Sequence, residues 1–195
     1  MHGKGLLMII LFAKHQFHDK LTLAITRSNQ VWGVDITYIR MKKGFMYLFV
    51  ILDWHTSQIV DYEVSYTLEK EFVLRCLRRA LCHRKPEIIN SDQGSHFTNQ
   101  AYLDLMESNG VKVSMDGKCQ ALDNVRTERF FRSLKYEDIC INEYITPKEM
   151  IAGVNRYILD YNTIRPHSSL GYRPPAPEAL VWPAPKEVVK MQSLN

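Results

Sequence analysis

The sequence predicts an α/β fold: a five-stranded mixed sheet, an antiparallel meander plus parallel strands, flanked by helices. Three observations carry this expectation. Val31 to Ile39, Phe45 to Leu52 and Gln58 to Val64 are runs of strand length joined by short turns, the pattern of antiparallel hairpins. After Thr67, segments of helical apolar period alternate with short β-rich runs, so the later strands are reached by crossovers. At 195 residues, 46% hydrophobic and 24% charged, the chain has the size and composition of one globular domain with a real core.

Residues 1–28 show no clear period and read as an N-terminal arm. The apolar segment Gly5 to Ala13 is too short to span a bilayer as a helix, and no small-x-small cleavage site follows it. A stray strand or loose arm is expected there, with no membrane partner and a cytoplasmic location. His15 and His18 are too isolated to suggest a metal. Val31 to Ile39 is rich in β-branched and aromatic residues, Met41 to Gly44 is a turn, and the unbroken apolar run Phe45 to Leu52 predicts a central strand covered on both faces. Asp53 to Ser57 turns again before the third strand.

Thr67 is placed to cap a helix whose apolar residues, Phe72-Val73, Cys76-Leu77 and Ala80-Leu81, recur every three to four positions. Its other face carries Arg75, Arg78 and Arg79, with Arg84-Lys85 following; such a cluster is more often a solvated face than a phosphate contact. Pro86 closes the segment and Glu87 to Asn90 is a short strand. Asp92 therefore falls just past a strand's carboxyl end, where open α/β sheets place their ligands. Thr98 to Asn109 reads as a helix with Gly110 as its cap, Val111 to Met115 as a fifth strand, and Asp116 to Gln120 as a loop. Leu122 to Glu137 makes a third helix that buries Phe130, Phe131 and Leu134 and lines Asn124, Glu128, Arg132 and Lys135 along the adjacent face. A fourth helix opens with a capping box of Thr146, Pro147 and Glu149 and cannot pass Pro166. The divisions are an arm over 1–28, a core over 29–165, and a Pro-rich, extended tail over 166–195.

Four cysteines without CxxC spacing read as reduced thiols rather than disulfides or a zinc site, and the net charge of +4 permits a nucleic-acid partner without requiring one. The acids are more telling. An ionised Asp35 inside an apolar strand is costly unless paired or bound to a cation. Asp53 and Asp61 have turn or rim readings, and Asp123 suits a helix N-terminus. Glu128 with Arg132 makes an ordinary helix pair when taken alone. Asp35, Asp92 and Glu128 taken together offer hard oxygen ligands of the kind that hold Mg²⁺ or Mn²⁺ for phosphodiester chemistry.

Four segments in order, WGVDITYI, NSDQGSHFTN, ALDNVRTERFFRSLKYE and YNTIRPHSSLGYRPP, resemble bacterial insertion-sequence transposases of the DDE class, whose catalytic core is similar to retroviral integrases. The resemblance covers roughly Ser28 to Leu180. It implies a ribonuclease H-like fold and metal-dependent DNA cleavage and strand transfer in transposition. Asp35, Asp92 and Glu128 match the three catalytic, metal-binding acids, with two Mg²⁺ or Mn²⁺ ions expected once DNA is bound. Gln93, Ser95, Asn124, Arg132, Lys135 and His167 are candidate DNA contacts. Transposon ends and target DNA are the implied partners, with a homo-oligomer assembled on them and a nucleoid-associated location.

The chain departs from the family at three places. Residues 1–28 do not resemble the upstream helix-turn-helix region, so DNA-end recognition is expected from an upstream region or a second reading-frame product. Thr56-Ser57 stands where a Ser-Arg pair is usual, and Cys119 where glycine is common. A truncated or decayed copy acting as a non-catalytic DNA-binding or regulatory protein is one alternative, and a hydrolytic nuclease of the same fold is another.

Overall fold

The structure, a computed structural model, describes residues 7–9, 22–115 and 125–176. Strand β1 (Leu7–Ile9) pairs antiparallel with β2 (Thr22–Ala24), so the apolar arm segment does contain a stray strand. The main sheet has five strands in the order β5-β4-β3-β6-β7. Its meander, β3 (Val31–Arg40), β4 (Phe45–Asp53) and β5 (Ile59–Ser65), is antiparallel throughout. Strands β6 (Ile88–Ser91) and β7 (Lys112–Met115) run parallel to β3 and to each other, after crossovers through α1 (Lys70–His83) and α2 (Gln100–Ser108).

Alternation along the strands divides the interior in two. Val31, Ile39, Met46, Leu48, Val50 and Leu52 point to one side, where α3 (Val125–Leu134) and α5 (Pro147–Thr163) supply Phe130, Leu134, Met150, Val154 and Ile158. Trp32, Val34, Phe49 and Ile51 point to the other, against Val73, Cys76 and Leu77 of α1 and Tyr102 and Met106 of α2. Strand β4 is buried from Leu48 to Asp53 because both layers cover it.

Several local expectations change. Thr67 is not the cap of α1: the helix starts at Lys70 behind Glu69, and no side chain closes its first turn. Asn99 caps α2 by accepting from the Tyr102 amide, and Gly110, at φ +70°, follows its end. The third helix does not run evenly to Glu137. After Leu134 it widens into a π-turn (Lys135–Ile139), which leads into a single turn, α4 (Cys140–Asn142). The π-turn carries the buried Asp138, which accepts from Tyr144 Oη at 2.9 Å and Asn142 Nδ2 at 3.0 Å. The capping box of α5 is present with both reciprocal bonds. The first part of the tail is ordered rather than irregular: Ser168–Leu170 forms a 3-10 turn closed by a bridge between His167 and Arg173. Leu122, Asp123, Asp116 to Gln120, His15 and His18 lie outside the described residues.

The arginine face of α1 and the acids of β5 satisfy each other. Arg79 holds Asp61 through two bonds of 2.7 and 2.8 Å and reaches Glu63 at 2.9 Å, while Arg75 also pairs with Glu63 and Arg78 with Glu71. Asp61 is therefore an inside partner rather than a rim residue, and this cluster is spent on the fold rather than held out to a phosphate. Asp53 is buried too, accepting from the amides of Asn29, His55 and Thr56 at the end of β4. Among the described residues no helix is long and apolar enough to cross a membrane, and no disulfide joins Cys76, Cys82 or Cys140.

Candidate active site

The last register pair between β3 and β6 is Gly33 with Asn90. Two residues further along each chain stand Asp35 and Asp92. The register ends two residues short of both acids, so Asp35 stays within β3 while Asp92 falls one residue past the carboxyl end of β6. Asp35 shares parity with Val31 and Ile39, Asp92 with Ile88, and all three apolar residues belong to the layer under α3 and α5. Asp35 is half-buried within the strand, and its Oδ1 accepts the Ile36 amide at 2.7 Å.

The loop after β6 is fastened from below and open above. Phe97 is buried between Phe49 and Tyr102, at centroid distances of 6.2 and 5.6 Å, and His96 Nε2 lies 3.0 Å from the Leu68 carbonyl. The amides of Phe97 and Thr98 both reach the Gly94 carbonyl. Asp92 accepts from the Gly94 amide at 2.9 Å, an Asx-type turn that leaves Asp92, Gln93 and Ser95 exposed. Burial pushes the Tyr102 phenol well above its ordinary value, and the Asp92 charge adds to that.

Glu128 rides on the first described turn of α3 and is exposed, while its neighbour Thr127 is completely buried. The helix can lie this close because β3 offers Gly33. A methyl group there would fall 2.4 Å from Trp54 Nε1 and 3.1 Å from Thr127 Oγ1. Arg126 ties the same turn down by donating to the Trp54 carbonyl, and burial lowers its guanidinium pKa. Glu128 is thus carried by the helix turn seated on Gly33, two residues along β3 from Asp35. As the side chains stand, no group of three or more His, Cys, Asp or Glu among the described residues is placed to hold a metal ion.

The other expected residues scatter around this centre. Arg132 is exposed with its guanidinium carbon 5.9 Å from the centroid of the Tyr136 ring, and Lys135 is half-buried at the start of the π-turn. Asn124 lies outside the described residues. His167 packs edge-on against Tyr161 at 4.7 Å, and burial lowers its pKa. Beside it Arg165 pairs with Glu137 and donates to the Tyr157 hydroxyl at 2.8 Å, which in turn donates to Glu137 at 3.0 Å. The Arg165-Pro166-His167 segment therefore ties α5 to the π-turn. Gly33, Trp54, Arg126 and Thr127 were not singled out from sequence. A glycine inside a β-branched strand was the available signal for a close approach, whereas nothing marked Arg126.

Sheet order and helix placement define an α/β fold of the ribonuclease H-like type, and solved structures share it. The simian T-cell lymphotropic virus intasome aligns with TM-score 0.65 at 16% identity, over 86% of this chain and 60% of that one. The HTLV-2 integrase catalytic core domain in complex with magnesium aligns with TM-score 0.58 at 18% identity, over 73% and 92%. The family described as integrase core domain matches residues 25–120 and again residues 109–175. The chain belongs to this family, among the bacterial insertion-sequence transposases with an integrase-type core. It is 36% identical over 159 residues to the 31 kDa protein of insertion element IS600 from Shigella sonnei, covering 80% of this chain and 58% of that protein. It is 34% identical over 154 residues to the transposase for insertion sequence element IS904 of Lactococcus lactis, covering 77% and 61%. The chain thus spans about three-fifths of the length of these two relatives.

Proposed function

We propose that this chain is the catalytic core of a transposase that cleaves DNA strands and joins the freed ends to a new site, with Asp35, Asp92 and Glu128 as its metal-holding acids. The observation that supports the reading is that the β3–β6 register ends with Asp35 and Asp92 each two residues on, while Gly33 of β3 seats the helix turn that bears Glu128. An all-carboxylate donor set at a strand end suits Mg²⁺ or Mn²⁺, and the HTLV-2 neighbour was solved with magnesium. Two bound ions would supply activation of the attacking oxygen and charge stabilisation of the leaving one.

The protein's own part is placement. Asp35 is held by a central strand and Asp92 by a loop anchored at Phe97. Both carboxylates now accept backbone amides, so turning toward an ion exchanges one hydrogen bond for a stronger charge contact. Gln93 and Ser95 beside Asp92, Arg132 on α3, Lys135 at the start of the π-turn, and Asn124 and His167 are the groups offered to the DNA backbone. In the first step water attacks phosphorus as the P–O3′ bond breaks, leaving a 3′-hydroxyl and a 5′-phosphate. In the second that hydroxyl attacks a phosphodiester of the target and displaces its 3′-oxygen. No bond between protein and DNA forms. End recognition comes from a region or partner upstream, and a homo-oligomer holds the two ends.

The test is strand transfer on a pre-nicked end with Mn²⁺ or Mg²⁺, compared with Asp92→Asn. Joined products from the parent and none from the variant are expected. Cleavage without joining would reassign the chain as a nuclease of this fold, and DNA binding with no product would make it a non-catalytic regulator.

A further inference from the structure

The hairpin of β3 and β4 outruns β6 on one side and, by its last two pairs, Ile39 with Met46 and Arg40 with Phe45, outruns β5 on the other. Pairing with β6 stops at Gly33, while β3 continues from Val34 to Arg40, about 20 Å further. One face of this projection is closed: Thr37, Ile39 and Met46 are buried. The other face is open and carries two cross-strand pairs, Tyr38 with Tyr47 and Arg40 with Phe45. Tyr38 is 53% exposed and Phe45 52%, and the Tyr38 and Tyr47 rings meet edge to face at 5.3 Å. The turn between the strands adds Lys42 and Lys43, both exposed. None of Arg40, Lys42 and Lys43 takes part in an ion pair found among the described residues.

That contrast is informative, because the arginines of α1 pair with neighbouring acids and the cations of the hairpin make no ion pair among the described residues. Half-exposed apolar residues are ordinary taken singly; here two rings share one strand face with Arg40 and the lysines of the turn. Flat rings flanked by cations suit one ligand chemistry well, an unpaired nucleic acid strand. Its bases stack on the rings and its phosphates meet the cations, with little regard to sequence. Duplex DNA offers phosphates but no free base faces. A second copy of this chain would leave Arg40, Lys42 and Lys43 facing their own like charges.

We propose that the β3–β4 hairpin is a platform for unpaired DNA, on which bases stack against Tyr38 and Phe45 while Arg40, Lys42 and Lys43 hold the backbone. This rests on the transposase reading, which makes DNA the ligand; Tyr38 and Asp35 stand on opposite faces of β3, so the platform would hold unpaired DNA on the far side of the sheet from the acids.

The test is equilibrium binding of the full chain, in EDTA, to a fluorescent oligothymidylate and to a blunt duplex of equal length, with no need for the acids. Tyr38→Ala/Phe45→Ala is expected to weaken oligothymidylate binding roughly tenfold or more and to leave duplex binding nearly unchanged. Tyr38→Leu/Phe45→Leu, which keeps apolar area without a ring, is expected to show most of the same loss. Lys42→Glu/Lys43→Glu should weaken both ligands and flatten the salt dependence. Unchanged oligothymidylate binding in the ring variants overturns the proposal. A loss of self-association in those variants overturns it too, by making the face an interface between copies. Strand transfer by the parent chain with unaltered binding by the ring variants would sink the platform alone; the expected binding pattern without strand transfer would sink the catalytic reading alone.

Discussion

Gly33→Ala probes how the third acid is seated. The added methyl carbon would sit 2.4 Å from Trp54 Nε1, whereas real contacts of this kind do not fall below 3.0 Å, so at least 0.6 Å must be found. Trp54 has little room to give it. Its side chain is fully buried, its amide is bonded to the Val31 carbonyl at 3.0 Å, and its own carbonyl receives Arg126. Thr127 Oγ1, at 3.1 Å from the same point, blocks the other direction. Overpacking of this sort costs about 1–3 kcal/mol. For a chain of this length that lowers Tm by about 2–12 °C, read by circular dichroism or calorimetry. Trp54→Phe removes the nearest colliding atom, so the double variant should lie above the additive expectation by about 1 kcal/mol. A Tm for Gly33→Ala within one degree of the parent, or strict additivity in the cycle, would refute the claim that α3 is seated on this glycine.

Three other outcomes can be stated briefly. Asp61→Asn should cost about 3 kcal/mol in chemical denaturation, the low end for breaking a buried pair, because Arg79 keeps 24% exposure; a loss under about 1 kcal/mol would show the pair to be dispensable. Thr146→Ala should cost about 1 kcal/mol by removing the capping box of α5, visible as a Tm lower by about 2–4 °C. His167 has a pKa lowered from 6.5 mainly by burial, with the Arg165 charge adding to it, so the unfolded chain binds more protons than the folded one just below that pH. The stability it lends is complete above pH 6.5 and is lost as pH falls from there through the folded value, and His167→Gln should flatten that part of the pH–stability curve.

What could be read from the residues, and what could not, follows from the range of the interactions. The strands of the meander were legible because their signal is local: Phe45 to Leu52 is apolar throughout, and only a strand with two covered faces tolerates that. Thr146, Pro147 and Glu149 likewise announce α5 within four residues. Charges were misjudged where their partners are distant in sequence. Arg79 and Asp61 are 18 residues apart and meet only because α1 packs on β5, so each looked like a surface group when taken alone. Asp53 keeps its turn reading, accepting from the His55 and Thr56 amides, whereas Asp138 was not singled out because its donors, Asn142 and Tyr144, reach it only once the π-turn has formed. Asp35 is the informative opposite case. Its strand neighbours are apolar and no turn, helix end or near cation accounts for it, so the sequence argument could only point outward, to a cation shared with other acids. The β3–β6 register bears on half of that argument, because it stops with Asp35 and Asp92 each two residues on. The other half belongs to Glu128, whose place depends on a glycine, a buried threonine and an arginine bonded to a carbonyl 72 residues away. A helix pattern shows which face carries Glu128, but only packing fixes how near that face comes to the strand.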